Sequence, residues 1–128
     1  MELDYTVSTA KPYREAVEAV IGSAEKHGFR VQFVHDVAET LAEKGFDRAP
    51  VSIIEMCNAG FASKVLEADM TIGLMLPCPV MVYEKDDQVW IATMRPSLIA
   101  QFFPEAQIGS VADEVESRIV AIIDFAAQ

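Results

Sequence analysis

The stretch from Val51 to Glu84, VSIIEMCNAGFASKVLEADMTIGLMLPCPVMVYE, constrains the chain more than any other. It opens on one apolar run and closes on another. Val51 to Met56 is too apolar to have a face in water, and Val80-Met81-Val82-Tyr83 reads as a strand inside a sheet rather than at its edge. Between them Asn58 can cap a helix that carries Phe61, Ala62, Val65 and Leu66 on one side. Asp69 to Pro79 has no clean period and is expected as an apolar loop. Both cysteines of the chain, Cys57 and Cys78, fall in this block, each where a strand meets a loop.

The flanks supply the rest of a domain. Residues 2–8 alternate, with Leu3, Tyr5 and Val7 on one side, as a half-buried strand does. Thr9 is placed to cap the next helix, and Pro12 fits its first turn. Tyr13, Val17, Val20, Ile21 and Ala24 form one apolar helical stripe that ends at His27-Gly28. Phe29, Val31 and Phe33 alternate as a second strand, and Asp36 with Glu39 has the form of a capping box. Glu84 to Gln88 is a polar turn, from which Val89 to Met94 returns as a hairpin partner. A short helix runs from Pro96 through Phe102. Ser110 with Asp113 resembles a cap for a long final helix carrying Val115, Ile119, Ile122, Ile123 and Ala126. The expected order is β-α-β-α-β-α-β-β-α. That order predicts an α+β fold with a mixed or mainly antiparallel sheet covered largely on one face by helices. No glycine-rich βα turn supports a nucleotide-binding doubly wound fold.

At 128 residues the chain is expected as a single domain, 1–128, with a hydrophobic fraction of 52% that is ample for a core. Twenty acidic against ten basic residues give a formal net charge of −10. Such a field repels phosphate backbones and anionic lipid, so neither nucleic acid nor a membrane surface is expected as a partner. No signal peptide is read at the start, and Ile72 to Tyr83, the longest nearly unbroken apolar run, is too short to span a bilayer. These features fit a soluble cytoplasmic protein, in which two cysteines are expected to stay reduced.

Cys57 is the sharpest chemical candidate. A thiol that ends a strand just before a capped helix lies near free N–H groups and the positive end of a dipole, a position that favours the thiolate. Against this, free cysteine often packs as a small hydrophobe. Cys78 sits between Pro77 and Pro79, which stiffen the backbone and remove two N–H donors. The spacing of the pair is neither a CxxC motif nor a zinc pattern, so no metal is expected, and no cofactor is indicated. Glu55 alternates onto the side of Cys57 in a regular strand, where a carboxylate could serve as base or ligand. His27 and His35 read as helix-end and strand-end residues. There is no serine elbow, P-loop or HExxH motif, so a conventional catalytic triad is not expected.

The same central block resembles the bacterial and archaeal family called domain of unknown function 302. The resemblance rests on Cys57-Asn58, on Val65-Leu66-Glu67-Ala68-Asp69, on Ile72-Gly73-Leu74-Met75-Leu76-Pro77-Cys78 and on the strand Val80 to Glu84. Ala59 stands where the family commonly has proline, which leaves the helix start less rigid but keeps the Asn cap. The resemblance implies an α+β fold of the TATA-binding-protein-like class and a homodimer, and it implies no activity.

Three functions follow as expectations. The first is a small-ligand binding or sensing module with Cys57, Asn58, Cys78 and Glu55 around its site. The second is a thiol enzyme or redox protein using Cys57 as attacking thiolate and Cys78 as its resolving partner. The third is a structural homodimer, joined through an exposed sheet face or edge, whose cysteines are core.

Overall fold

The computed structural model describes residues 2–128. Five strands, β1 (Asp4–Thr9), β2 (Arg30–Asp36), β3 (Val51–Cys57), β4 (Cys78–Lys85) and β5 (Gln88–Met94), form one sheet in the order β1-β5-β4-β3-β2. Every neighbouring pair is antiparallel. Five helices accompany them: α1 (Tyr13–Lys26), α2 (Val37–Ala42), α3 (Ala59–Ala68), α4 (Ser97–Phe102) and α5 (Gly109–Ala127). The α+β class and the one-sided covering expected from the element order are therefore present.

The core forms where α1 and α5 lie against the sheet. Ala16, Val20 and Ala24 of α1 meet Ile119, Ile122 and Ile123 of α5 over Ile54, Met56, Val80, Val82 and Ile91. Burying a side chain of this size contributes roughly 1.5–3 kcal/mol, so this layer dominates stability. The polar groups inside it are paired. Ser23 Oγ donates to the Ile122 carbonyl at 2.8 Å, joining the two helices. At the exposed rim of the layer Tyr5 OH donates to Asp124 at 2.5 Å, tying β1 to α5.

Several local expectations change for physical reasons. Thr9 is the last residue of β1 rather than a helix cap; its hydroxyl donates to the Ala127 carbonyl at 2.8 Å and clasps the end of α5. The Ser110 cap is absent, because α5 begins at Gly109 and has no side-chain cap. Asp69 to Pro79 is not a loop throughout. Asp69 accepts from the Thr71 N–H at 2.9 Å and starts a 3-10 helix, Met70–Met75, while Cys78 and Pro79 already belong to β4.

The sheet itself holds the largest departure. In β3 only Ser52, Ile54 and Met56 are buried, while Val51, Ile53 and Glu55 alternate onto an uncovered face. Interior strands in an antiparallel sheet can leave one face open, which an apolar run conceals. In β2 a bulge between Val31 and Phe33 inserts Gln32 and reverses the alternation. Phe29 and Val31 stay with the core, whereas Phe33 turns to the open face and is 58% exposed.

Candidate functional site

At the end of the sheet where β3 stops and β4 starts, the chain builds a cavity. Cys78, the first residue of β4, pairs with Met56, and Cys57 is the next residue along β3. The sequence then turns into α3, because Asn58 Oδ1 accepts from the Phe61 N–H at 3.0 Å and caps the first turn. The Asn58 amide donates to the Gly28 carbonyl at 2.8 Å, anchoring the start of α3 to the turn between α1 and β2. Gly28 can present that carbonyl because its φ is +80°, a conformation that a Cβ would strain.

Cys57 and Cys78 both line this recess, with Phe29, Phe61, Val65, Ile72, Leu76, Ile99 and Val115 among the other walls. Its volume is about 40 Å³. A second apolar cluster, formed by Val65, Ile72, Ile99 and Ile108, closes the side away from the sheet. Arg118 lies 5.4 Å over the Phe61 ring and pairs with Glu114 at 3.7 Å, on the helix that supplies the Val115 wall. Burial, with a smaller contribution from the nearby Cys57, pushes the Cys78 thiol up to about 11. The neutral thiol is thus the resting form of Cys78 at physiological pH.

Of the four residues expected around a site, the structure brings three together. Cys57, Asn58 and Cys78 line the cavity, but Glu55 does not. The alternation of β3 puts Glu55 on the uncovered face, level with Pro79 and Phe33. Cys57, at the strand's last position, reaches the cavity where the chain folds over into α3. Asn58 is committed at both ends to backbone partners. The histidines are elsewhere: His27 caps α1 and meets Phe125 edge-on, and His35 lies within 3.3 Å of the Thr40 hydroxyl. Among the described residues no group of three or more His, Cys, Asp or Glu could hold a metal ion. No helix among them is long and apolar enough to cross a membrane. Ile72, Ile99 and Ile108 also wall the cavity; Ile99 lies in the short helix expected from Pro96 through Phe102 and Ile72 in the stretch expected as an apolar loop, and nothing in their spacing directs them to one site.

Fold and cavity together define a small α+β protein with a thiol-bearing, apolar recess at one end of an antiparallel sheet. The family model described as domain of unknown function DUF302 matches residues 5–126. The chain belongs to that family. It is similar to the crystal structure of an uncharacterized conserved protein DUF302 from Bacillus stearothermophilus, with a TM-score of 0.93 and 29% identity over 100% of each chain. No curated protein matches the chain. The resemblance first carried by the Cys57-Asn58 and Pro77-Cys78 block therefore extends over nearly its whole length.

Proposed function

We propose that this chain is a small-ligand binding or sensing module whose site is the cavity walled by Cys57 and Cys78. One observation carries the reading. The two cysteines of the sequence lie on different strands, and both line the same apolar cavity. Its volume of about 40 Å³ limits what can enter. Pockets for drug-sized ligands run to roughly 300–1,000 Å³. A single water needs only roughly 10–15 Å³ of such space, and two to four polar partners that these walls do not offer. The fitting occupant is a species of a few heavy atoms that is apolar or thiophilic. Asn58 then serves as the frame of the site, holding α3 against Gly28, while the thiols meet the ligand.

The thiol-enzyme alternative draws less support. A resolving thiol attacks as thiolate, and one held near 11 is ionised only to about one part in ten thousand at pH 7.

Silver(I), a compact soft cation, is a direct probe, because thiolates select such ions. Calorimetric titration is expected to find one equivalent bound per chain and shared by both sulfurs. Cys57→Ser and Cys78→Ser should each weaken it about tenfold or more, with the melting temperature rising less on binding in either variant than in the parent chain. Two independent equivalents, one per cysteine, would sink the shared-site reading.

A further inference from the structure

We infer that the stretch from Ser97 to Ile108 is the door of the recess, and that the Glu116 carboxylate latches it shut. The inference rests on the ligand-binding reading above and concerns how an occupant enters and leaves. The walls of the recess come from two clusters. Phe29 and Val115 belong to the main core, whereas Val65, Ile72, Ile99 and Ile108 belong to the second cluster. The recess therefore lies along a seam. Its volume of about 40 Å³ leaves little room for traffic past the walls. Parting the seam widens it and leaves every strand pairing intact.

Two straps contribute to the second cluster, and they are held differently. Ile72 lies in the 3-10 helix Met70–Met75, which is seated against α3: a Cβ on Gly73 would come within 3.2 Å of Leu66 Cδ2. That strap runs on to Cys78, which is paired with Met56 in the sheet. Ile99 and Ile108 lie in the other strap, made of α4 and a short 3-10 turn, Pro104–Ala106. Leu98, Ile99 and Ile108 are buried there, while Gln101, Phe102, Pro104, Glu105 and Gln107 face solvent. Among the described residues one hydrogen bond joins this strap to a distant part of the chain. The Ser97 N–H donates to Glu116 Oε1 at 3.0 Å. Its other bonds run within the strap or to Arg95, Pro96 and Ala112 beside it. A segment with so few tertiary bonds opens at a lower free energy than the core.

The two ends of the strap suit a hinged element. Arg95, just before it, is fixed to the body of the protein. Its N–H donates to the Leu3 carbonyl at 2.9 Å, and its guanidinium pairs with Glu2 and Glu116 at 3.4 Å each. Gln107, at the far end, has a φ of +55°, in the left-handed region that disfavours a residue with a Cβ. A swing about Gln107 relieves that conformation. Glu116 opposes the swing. Burial raises its pKa, but the bonds from Ser97 and the charge of Arg95 outweigh burial and hold the group below the ordinary carboxylate value. The latch is therefore charged at neutral pH. It follows Val115, a wall of the recess, so latch and wall share one turn of α5.

Hydrogen exchange and alkylation test the door without a ligand. In Glu116→Ala the amides of Ile99 and Phe103 should exchange about tenfold faster, the factor expected for one charge-assisted hydrogen bond. Ile72 and the α5 isoleucines should keep their parent rates, which also shows that the fold persists. Cys78 should react with iodoacetamide about tenfold faster at pH 7, since the same opening exposes it. Glu116→Gln keeps an acceptor for the Ser97 N–H and should return both rates to within about threefold of the parent. Silver(I) supplies a readout that a merely structural loss would not move. In stopped flow its entry and its release should both accelerate about tenfold in Glu116→Ala, which leaves the affinity within about twofold of the parent. Unchanged Ile99 exchange and an unchanged Cys78 rate in Glu116→Ala overturn the door. Faster exchange that extends to Ile72 also overturns it, because the other strap then opens as well. Faster release with unchanged entry overturns the latch, because Glu116 then supports the closed site itself. The ligand-free outcomes hold even where silver is not shared by the two sulfurs, so the door and the binding site fail separately.

Discussion

At pH 7 Cys78 should react with iodoacetamide on the order of 100-fold more slowly than the same cysteine in the denatured chain. The cause is its thiol, raised from 9.0 to about 11 by burial and by Cys57. Only the thiolate is nucleophilic, and two units of displacement reduce its population about a hundredfold. The deficit should shrink as pH rises toward 11. The same displacement makes stability depend on pH. Below pH 9 both folded and unfolded chains hold the proton, and Cys78 adds no slope. Between 9 and 11 the unfolded chain loses the proton while the folded chain keeps it, so stability falls as pH rises. At about 1.4 kcal/mol per unit the full loss approaches about 3 kcal/mol. Denaturant titrations at pH 8, 9, 10 and 11 should therefore show a steeper decline in the parent chain than in Cys78→Ala. Equal slopes, together with alkylation of Cys78 at the denatured rate, would mean that the thiol is not held in the apolar wall.

Element order and helix faces were legible because periodicity survives folding. Tyr13 to Ala24 and Val115 to Ala126 announce apolar stripes at helical spacing; α5 buries its stripe, whereas α1 buries Val20 and Ala24 together with Ala16 and Ser23 and leaves Tyr13, Val17 and Ile21 half-buried. The Asn58 and Asp36 caps were legible for a related reason: a short polar side chain before a helical run has few other uses. What failed was alternation where register intervenes. Gln32 looks like an ordinary outward residue, but as a bulge it sends Phe33 to the other face, and no local pattern marks it. Glu55 was placed with Cys57 by the same counting. The count is right for the strand, but Cys57 ends it, so the cavity takes one and the open face takes the other. Matching placement at two strand–loop junctions does not by itself bring Cys57 and Cys78 together. Only the β3–β4 register, with Met56 opposite Cys78, brings the two residues to one cavity.

The frame of that cavity depends on one side chain, and replacing it separates two contributions. Asn58→Ala should cost about 2 kcal/mol. Loss of an N-cap accounts for roughly 1 kcal/mol, and loss of a hydrogen bond to a backbone carbonyl for roughly another 1 kcal/mol. Asn58→Asp keeps an acceptor for the Phe61 N–H, and its charge suits the positive end of α3. It loses the donor to the Gly28 carbonyl, however, and sets a carboxylate beside that oxygen. Its expected cost is about 1 kcal/mol, smaller than that of alanine despite the added charge. The ranking inverts if the cap is unimportant and the tether to Gly28 carries the stability. Urea unfolding of the three proteins at pH 7 measures it. Hydrogen exchange adds the local reading, since α3 should lose protection in Asn58→Ala before α1 and α5 do, the latter being held by Ser23 and the isoleucine layer. As α3 loosens, Phe61 and Val65 leave the cavity wall and the shield over Cys78 thins. Cys78 alkylation at pH 7 should then accelerate in Asn58→Ala and change less in Asn58→Asp. An alanine variant with full stability and an unchanged Cys78 rate would show that α3 is held in place without Asn58.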